Sequence, residues 1–126
     1  MKCLHIITPV KDSIDSTLET VKAIMESDIL VPFTYTVYND FSTEENTHRL
    51  EEAARQWNFR LVNLSDLTDH PSPNYLLVLQ TAQKEAIEAD AGLLIVESDV
   101  IVKKNTLQSL YNGALPVSYT HLTLPT

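Results

Sequence analysis

The sequence predicts a doubly wound α/β fold, a mainly parallel sheet with helices on both faces. Three observations lead there. Four short strand-like runs alternate with amphipathic stretches in the order β-α-β-α-β-α-β-α. The first and last of these runs are almost continuously apolar, as strands buried on both faces are. With 126 residues, 44% of them hydrophobic, the chain has the size of one domain and the side chains to build a core.

Each element has its own justification. Residues 3–8 (CLHIIT) form a buried strand that ends at Pro9. Ser16-Thr17-Leu18-Glu19 has the spacing of a capping box, and Leu18, Val21 and Met25 then share one helical face. Residues 33–38 are rich in aromatic and β-branched side chains, which favours a second strand. Ser42-Thr43-Glu44-Glu45 is another capping box. Leu50, Ala53, Ala54 and Trp57 follow on one face of the clearest helix, with Trp57 read as a core residue and His48 as exposed. Residues 59–63 make a third strand. Residues 65–73 hold Asp, His and Pro and read as a loop in which His70 is solvated. Leu76, Leu79, Ala82, Ala86 and Ala89 mark the next helical face. Residues 92–96 are the fourth strand, and 103–111 a short helix.

Composition excludes several classes of partner. A net charge of −8 argues against nucleic acid or an anionic membrane as the main partner. The single cysteine, Cys3, lies in an apolar segment and offers neither a disulfide framework nor a cysteine zinc site. The first apolar stretch, residues 3–10, is too short for a secretory signal and runs into Lys11-Asp12. No segment approaches a membrane span, so a cytoplasmic chain is expected.

The chemistry points to strand ends. The fourth strand stops abruptly at Glu97-Ser98-Asp99. Side chains two apart on a strand point the same way, so Glu97 and Asp99 are expected to converge. Two like charges at one spot suit a hard divalent cation bound through oxygen. Glu88-Ala89-Asp90 has the same spacing but sits in a helical stretch, where such positions do not face each other. In a doubly wound sheet, ligands bind beyond the carboxyl ends of the strands, where strand order reverses. Thr8-Pro9-Val10, Asn39-Asp40-Phe41-Ser42 and Glu97-Ser98-Asp99 would all lie on that rim. From the residues alone, two readings stand: a binding site, or solvated strand ends without a ligand.

Residues 4–112 resemble the N-terminal half of a family 2 glycosyltransferase of the GT-A fold. The resemblance rests on His5-Ile6-Ile7-Thr8-Pro9-Val10, similar to the first strand and turn around the nucleobase. Val37-Tyr38-Asn39-Asp40-Phe41-Ser42-Thr43-Glu44 is similar to the family's V-D-D-G-S-x-D stretch. Val96-Glu97-Ser98-Asp99 is similar to its L-D-x-D metal motif. The resemblance implies that Asp40 hydrogen-bonds a uracil-type base, with Thr8, Pro9 and Val10 beside it. It implies that Asp99 binds Mn²⁺ or Mg²⁺ and through it a diphosphate, and that Glu97 serves the ribose or the metal's water shell.

The implied function is transfer of a sugar from a UDP- or GDP-sugar to an acceptor hydroxyl, with inversion. The catalytic base is expected beyond residue 116, leaving this chain inactive by itself. The chain departs from the family pattern at five places, one being the helix before strand four, which has Thr81-Ala82-Gln83-Lys84-Glu85 where an A-R-N-x-G run is usual. Asn39 replaces the first acid, Phe41 stands where Gly or Asn is usual, Val10 where a base-stacking Tyr is frequent, and Glu97 replaces Asp. The non-enzymatic alternative is a doubly wound binding or signalling module. A receiver-like domain would want acids after strands one and three, which end in Thr8 and Asn63-Leu64-Ser65-Asp66.

Residues 117–126 (VSYTHLTLPT) carry no Asp, Glu, Lys or Arg and follow none of the preceding periodicity. They resemble a translated transposon-end sequencing adapter. The expected organisation is therefore a partial GT-A domain over residues 1–116 and a non-native tail over 117–126. With the tail set aside, residues 93–96 would form an exposed apolar sheet edge, prone to aggregation.

Overall fold

The computed structural model describes residues 2–113 and the backbone of a strand at Tyr119–Leu122. Five strands form one parallel sheet: β1 (Cys3–Val10), β2 (Phe33–Asn39), β3 (Arg60–Asn63), β4 (Ala91–Val96) and β5 (Tyr119–Leu122). Their order is β3-β2-β1-β4-β5. The four helices are α1 (Ile14–Met25), α2 (Glu44–Trp57), α3 (Tyr75–Glu88) and α4 (Thr106–Gly113).

Alternation along the strands splits the core in two. On one face Leu4, Ile6 and Val10 of β1, with Tyr35 and Val37 of β2, meet Ile14, Val21 and Ile24 of α1, Leu50 and Ala53 of α2, and Leu107 of α4. On the other, Ile7, Tyr38, Leu93 and Ile95 pack against Val78, Ala82 and Ala86 of α3. Every residue of β4 is buried, as its unbroken apolar run requires. The expected layering is thus present.

The differences have physical causes. β1 continues through Pro9 to Val10, because its pairing with β4 ends at Ile7 opposite Ile95 and Pro9 lies past the last pair. α1 starts at Ile14, two residues before the capping-box serine. Ser16 Oγ instead donates to the Ser13 carbonyl at 3.1 Å. α2 is capped by Thr43 rather than Ser42, with Thr43 Oγ1 accepting the Asn46 N–H at 3.2 Å. On α3 the buried stripe is Val78, Ala82 and Ala86, while Leu76 is exposed. The loop expected at 65–73 includes a short 3₁₀ turn at Leu64–Asp66.

The outer edge of β4 is not open. β5 pairs with it from Leu93 opposite Tyr119 to Val96 opposite Leu122. The exposed apolar edge expected from the sequence is therefore covered, and by four residues of the stretch expected to stand outside the fold. The other residues of that stretch lie outside the described residues.

Candidate functional site

Strand order reverses between β1 and β4, which places a crevice at their carboxyl ends. Three loops meet this rim: residues 11–13 after β1, 40–43 after β2, and 97–100 after β4.

The first two are stitched together. The Asp40 N–H donates to the Val10 carbonyl at 2.7 Å. The Asp12 N–H donates to Ser42 Oγ at 2.7 Å, and Asp12 Oδ1 accepts the Thr43 N–H at 2.8 Å and Asn46 Nδ2 at 3.0 Å. Lys11 Nζ donates to the Phe41 carbonyl. These bonds hold Asp12, Ser13 and Phe41 in the left-handed region, at φ of 58°, 41° and 62°. For Phe41 this is an uncommon conformation, and it accounts for the Gly or Asn usual at that place in the resembled motif. The donors around Asp12, the Thr43 N–H first and Asn46 next, hold its carboxyl below the usual carboxylate range.

Asn39 is fully engaged inside the protein. Its Nδ2 donates to Thr47 Oγ1 and to Asn63 Oδ1, both at 2.9 Å, and its Oδ1 accepts the Ser42 N–H at 3.2 Å. A carboxylate could not donate either of the first two, which explains the amide where the resembled motif has an acid. Asn39→Ala is expected to cost about 3 kcal/mol, because it strips partners from three groups in one buried joint. Urea denaturation checks this, and a loss below about 0.5 kcal/mol would contradict it.

The expected site residues do not all reach the rim by side chain. Thr8 is fully buried and accepts the Tyr35 hydroxyl at 2.8 Å. Burial pushes that phenol well above its usual pKa. Pro9 is partly buried, and the Val10 side chain lies in the core. Any contact from Thr8 or Val10 to a ligand would come from the backbone. Asp40 is 8% exposed, and its carboxylate accepts from Ser72 Oγ (2.9 Å), the Asn74 N–H (2.8 Å) and Asn74 Nδ2 (2.8 Å).

Glu97 and Asp99 stand on the rim, but strand alternation does not put them there. β4 ends at Val96, and the next residues turn, with the Val100 N–H on the Glu97 carbonyl at 3.1 Å. Thr20 of α1 ties this turn down by donating to the Ser98 carbonyl at 3.0 Å. Val100 and Val102 then re-enter the core. Asp99 is exposed and Glu97 partly buried. No group of three or more His, Cys, Asp or Glu that could hold a metal occurs among the described residues. Two carboxylates on one turn fit a cation that brings phosphate and water ligands of its own, not a closed protein cage.

Sequence reasoning missed Asp12 and the 72–74 segment. Both act through partners about thirty residues away in sequence. The Asn74-Tyr75 start of α3 was the available signal for the second.

A polar cluster lies at the opposite end of the sheet, beside a cavity of about 550 Å³ lined by Cys3, Phe33, Arg60, Glu85 and Ala91 among others. Glu85 accepts from Tyr38 at 3.2 Å and pairs with Arg60 at 2.9 Å. His5 Nδ1 is 2.7 Å from Thr34 Oγ1, and its buried Nε2 lies 3.6 Å from Glu85 without a hydrogen bond. Burial lowers the His5 pKa below 6.5, against the pull of Glu85. The unfolded chain therefore binds the proton more readily, and stability falls as pH drops through about 6.5. Thermal midpoints measured from pH 7.5 to 5.5 should decline in the wild type and decline less in His5→Gln. A wild-type midpoint that rises on acidification would contradict this.

No family model matches the sequence, and no curated protein matches it significantly. Solved structures do. The crystal structure of S. aureus TarS 1-349 superposes with a TM-score of 0.64 at 23% identity, over 86% of this chain and 31% of that one. A second S. aureus TarS structure matches with a TM-score of 0.64 at 24% identity, over 86% of this chain and 18% of that one. TarS 1-349 in complex with UDP-GlcNAc matches with a TM-score of 0.63 at 25% identity, over 86% and 30%. The chain thus spans less than a third of the proteins it matches. TarS is a family 2-like glycosyltransferase of the GT-A fold, and the parallel sheet described above corresponds to the N-terminal half of that fold.

Proposed function

We propose that this chain, which has the fold of the N-terminal half of a GT-A glycosyltransferase, binds the nucleoside diphosphate of a sugar donor on the rim between β1 and β4. One observation carries the reading. Asp40 and the Glu97–Asp99 turn lie at the carboxyl ends of a parallel sheet, around the point where its strand order reverses. That the TarS complex holds UDP-GlcNAc supports it.

In this reading Asp40 faces the base, and Asp99 with Glu97 holds Mn²⁺ or Mg²⁺ against the diphosphate. The cation would neutralise charge on the leaving diphosphate. The residues of the chain do the rest. The clasp between 11–13 and 40–43 fixes the base end, Thr20 fixes the acid turn, and Lys11 stands at the edge of an otherwise acidic chain. Sugar transfer with inversion to an acceptor hydroxyl, in the cytoplasm, is the activity proposed for the whole protein. No helix among the described residues is long and apolar enough to cross a membrane. The resemblance puts the acceptor-side base C-terminal to residue 116, so this chain is proposed to bind donor without turnover.

Calorimetric titration with UDP tests the reading. Saturable binding that needs Mn²⁺ or Mg²⁺ is expected, with no sugar transfer from UDP-GlcNAc. Metal-independent binding, or turnover, would contradict it.

A further inference from the structure

The cavity of about 550 Å³ at the amino ends of the strands stands apart from the donor rim. The first residues of β1 to β4, which are Cys3, Phe33, Arg60 and Ala91, all line it. Its volume is that of a small-molecule pocket. Two buried side-chain atoms among the described residues have no hydrogen-bond partner, His5 Nε2 and Thr36 Oγ1. Both residues line this cavity, and they are only 5% and 0% exposed. Register puts His5 opposite Thr34, two residues from Thr36, so the side chains of His5 and Thr36 are diagonal neighbours on one sheet face. A buried polar atom left unpaired costs stability, and an apolar group of the same shape would remove that cost. A ligand that pairs with both atoms turns the cost into binding.

Charge selects the class of ligand. Arg60 pairs with Glu85 at 2.9 Å, so the two charged side chains in the wall offset each other. Burial disfavours the charged form of His5. An ion entering here would give up its water without an unpaired countercharge to meet it. The contact of His5 Nδ1 with Thr34 Oγ1 leaves either ring tautomer open. Nε2 calls for an acceptor in one tautomer and a donor in the other, and the Thr36 hydroxyl takes either. A carboxamide carries both on one carbon. We infer that this cavity is a second binding site, for a small uncharged molecule with an apolar body and a carboxamide-like head held by His5 Nε2 and Thr36 Oγ1.

The test is titration of the full chain with benzamide, benzoate and benzylamine at pH 7.5, for the wild type, Thr36→Val and His5→Phe. Ring-nitrogen NMR signals of His5 and melting temperatures are followed. Benzamide is expected to bind the wild type saturably, with Kd about 1 mM or tighter, and to shift the His5 signals. Benzoate and protonated benzylamine should bind about tenfold more weakly or worse. Thr36→Val and His5→Phe should each weaken benzamide about tenfold. Thr36→Val should melt at the wild-type temperature or up to about 4 °C above it, because a methyl group replaces an unpaired hydroxyl. If His5→Phe does not fold, Thr36→Val decides alone. Benzamide that fails to bind, binds no better than the two ions, or binds Thr36→Val as tightly as the wild type overturns the inference. So does a lower melting temperature in Thr36→Val, which would give the hydroxyl a structural partner. Displacement of benzamide by UDP in Mn²⁺ would overturn a site separate from the donor rim.

Discussion

Asp99→Asn is expected to lower Mn²⁺-dependent affinity for UDP roughly 100-fold, about 2.7 kcal/mol, with little change in stability. Asp99 is exposed on the turn after β4, so the amide replaces it without disturbing packing. The turn is held through its backbone: the Val100 N–H donates to the Glu97 carbonyl, and Thr20 Oγ1 donates to the Ser98 carbonyl. Its shape should survive. What changes is charge. With no third acidic, His or Cys ligand grouped there among the described residues, the loss of one carboxylate removes a large share of the protein's hold on the cation. Glu97→Gln should weaken binding too. Calorimetry with and without Mn²⁺ separates the effects, since metal-free affinity should be similar in the wild type and both variants. Equal Mn²⁺-dependent affinity in wild type and Asp99→Asn would contradict the assignment.

Asp40→Asn is expected to lower stability by about 3 kcal/mol, as much as Asn39→Ala, and to weaken UDP binding as well. The wild-type carboxylate accepts from three donors in a nearly closed setting. An amide must turn its own N–H₂ toward at least one of them, leaving donors facing donors. The damage should spread to the start of α3, because Asn74 is its N-cap residue and its side chain is held by Asp40 instead of the helix. Chemical denaturation reads the stability, and a variant as stable as the wild type would contradict the three-donor clasp.

The fold was legible where the signal is local and apolar. The unbroken run at 92–96 is a fully buried strand, and the stripe at Leu50, Ala53, Ala54 and Trp57 is a helix packed on the core. Legibility dropped where two local patterns competed or where long-range bonds decide. The Ser16 capping box was passed over: the helix begins at Ile14, and both Ile14 and Thr17 are buried. Leu76 fits a helical stripe in sequence, yet Val78 is the residue that meets the sheet.

The site follows the same division. Glu97 and Asp99 were readable as acids at a strand end, but a turn, not strand pleating, presents them. Thr8 reads as a polar rim residue only until Tyr35, its buried partner from the next strand, is in view. Nothing local in Asp12 or Ser72 announces a partner some thirty residues distant.

The most direct measurement is one titration of the intact chain with UDP in Mn²⁺, repeated after chelation with EDTA. The account predicts saturable binding that is lost on chelation and restored when Mn²⁺ is returned in excess. Undiminished binding in EDTA, or no binding in either condition, would contradict a metal-dependent donor site on this rim.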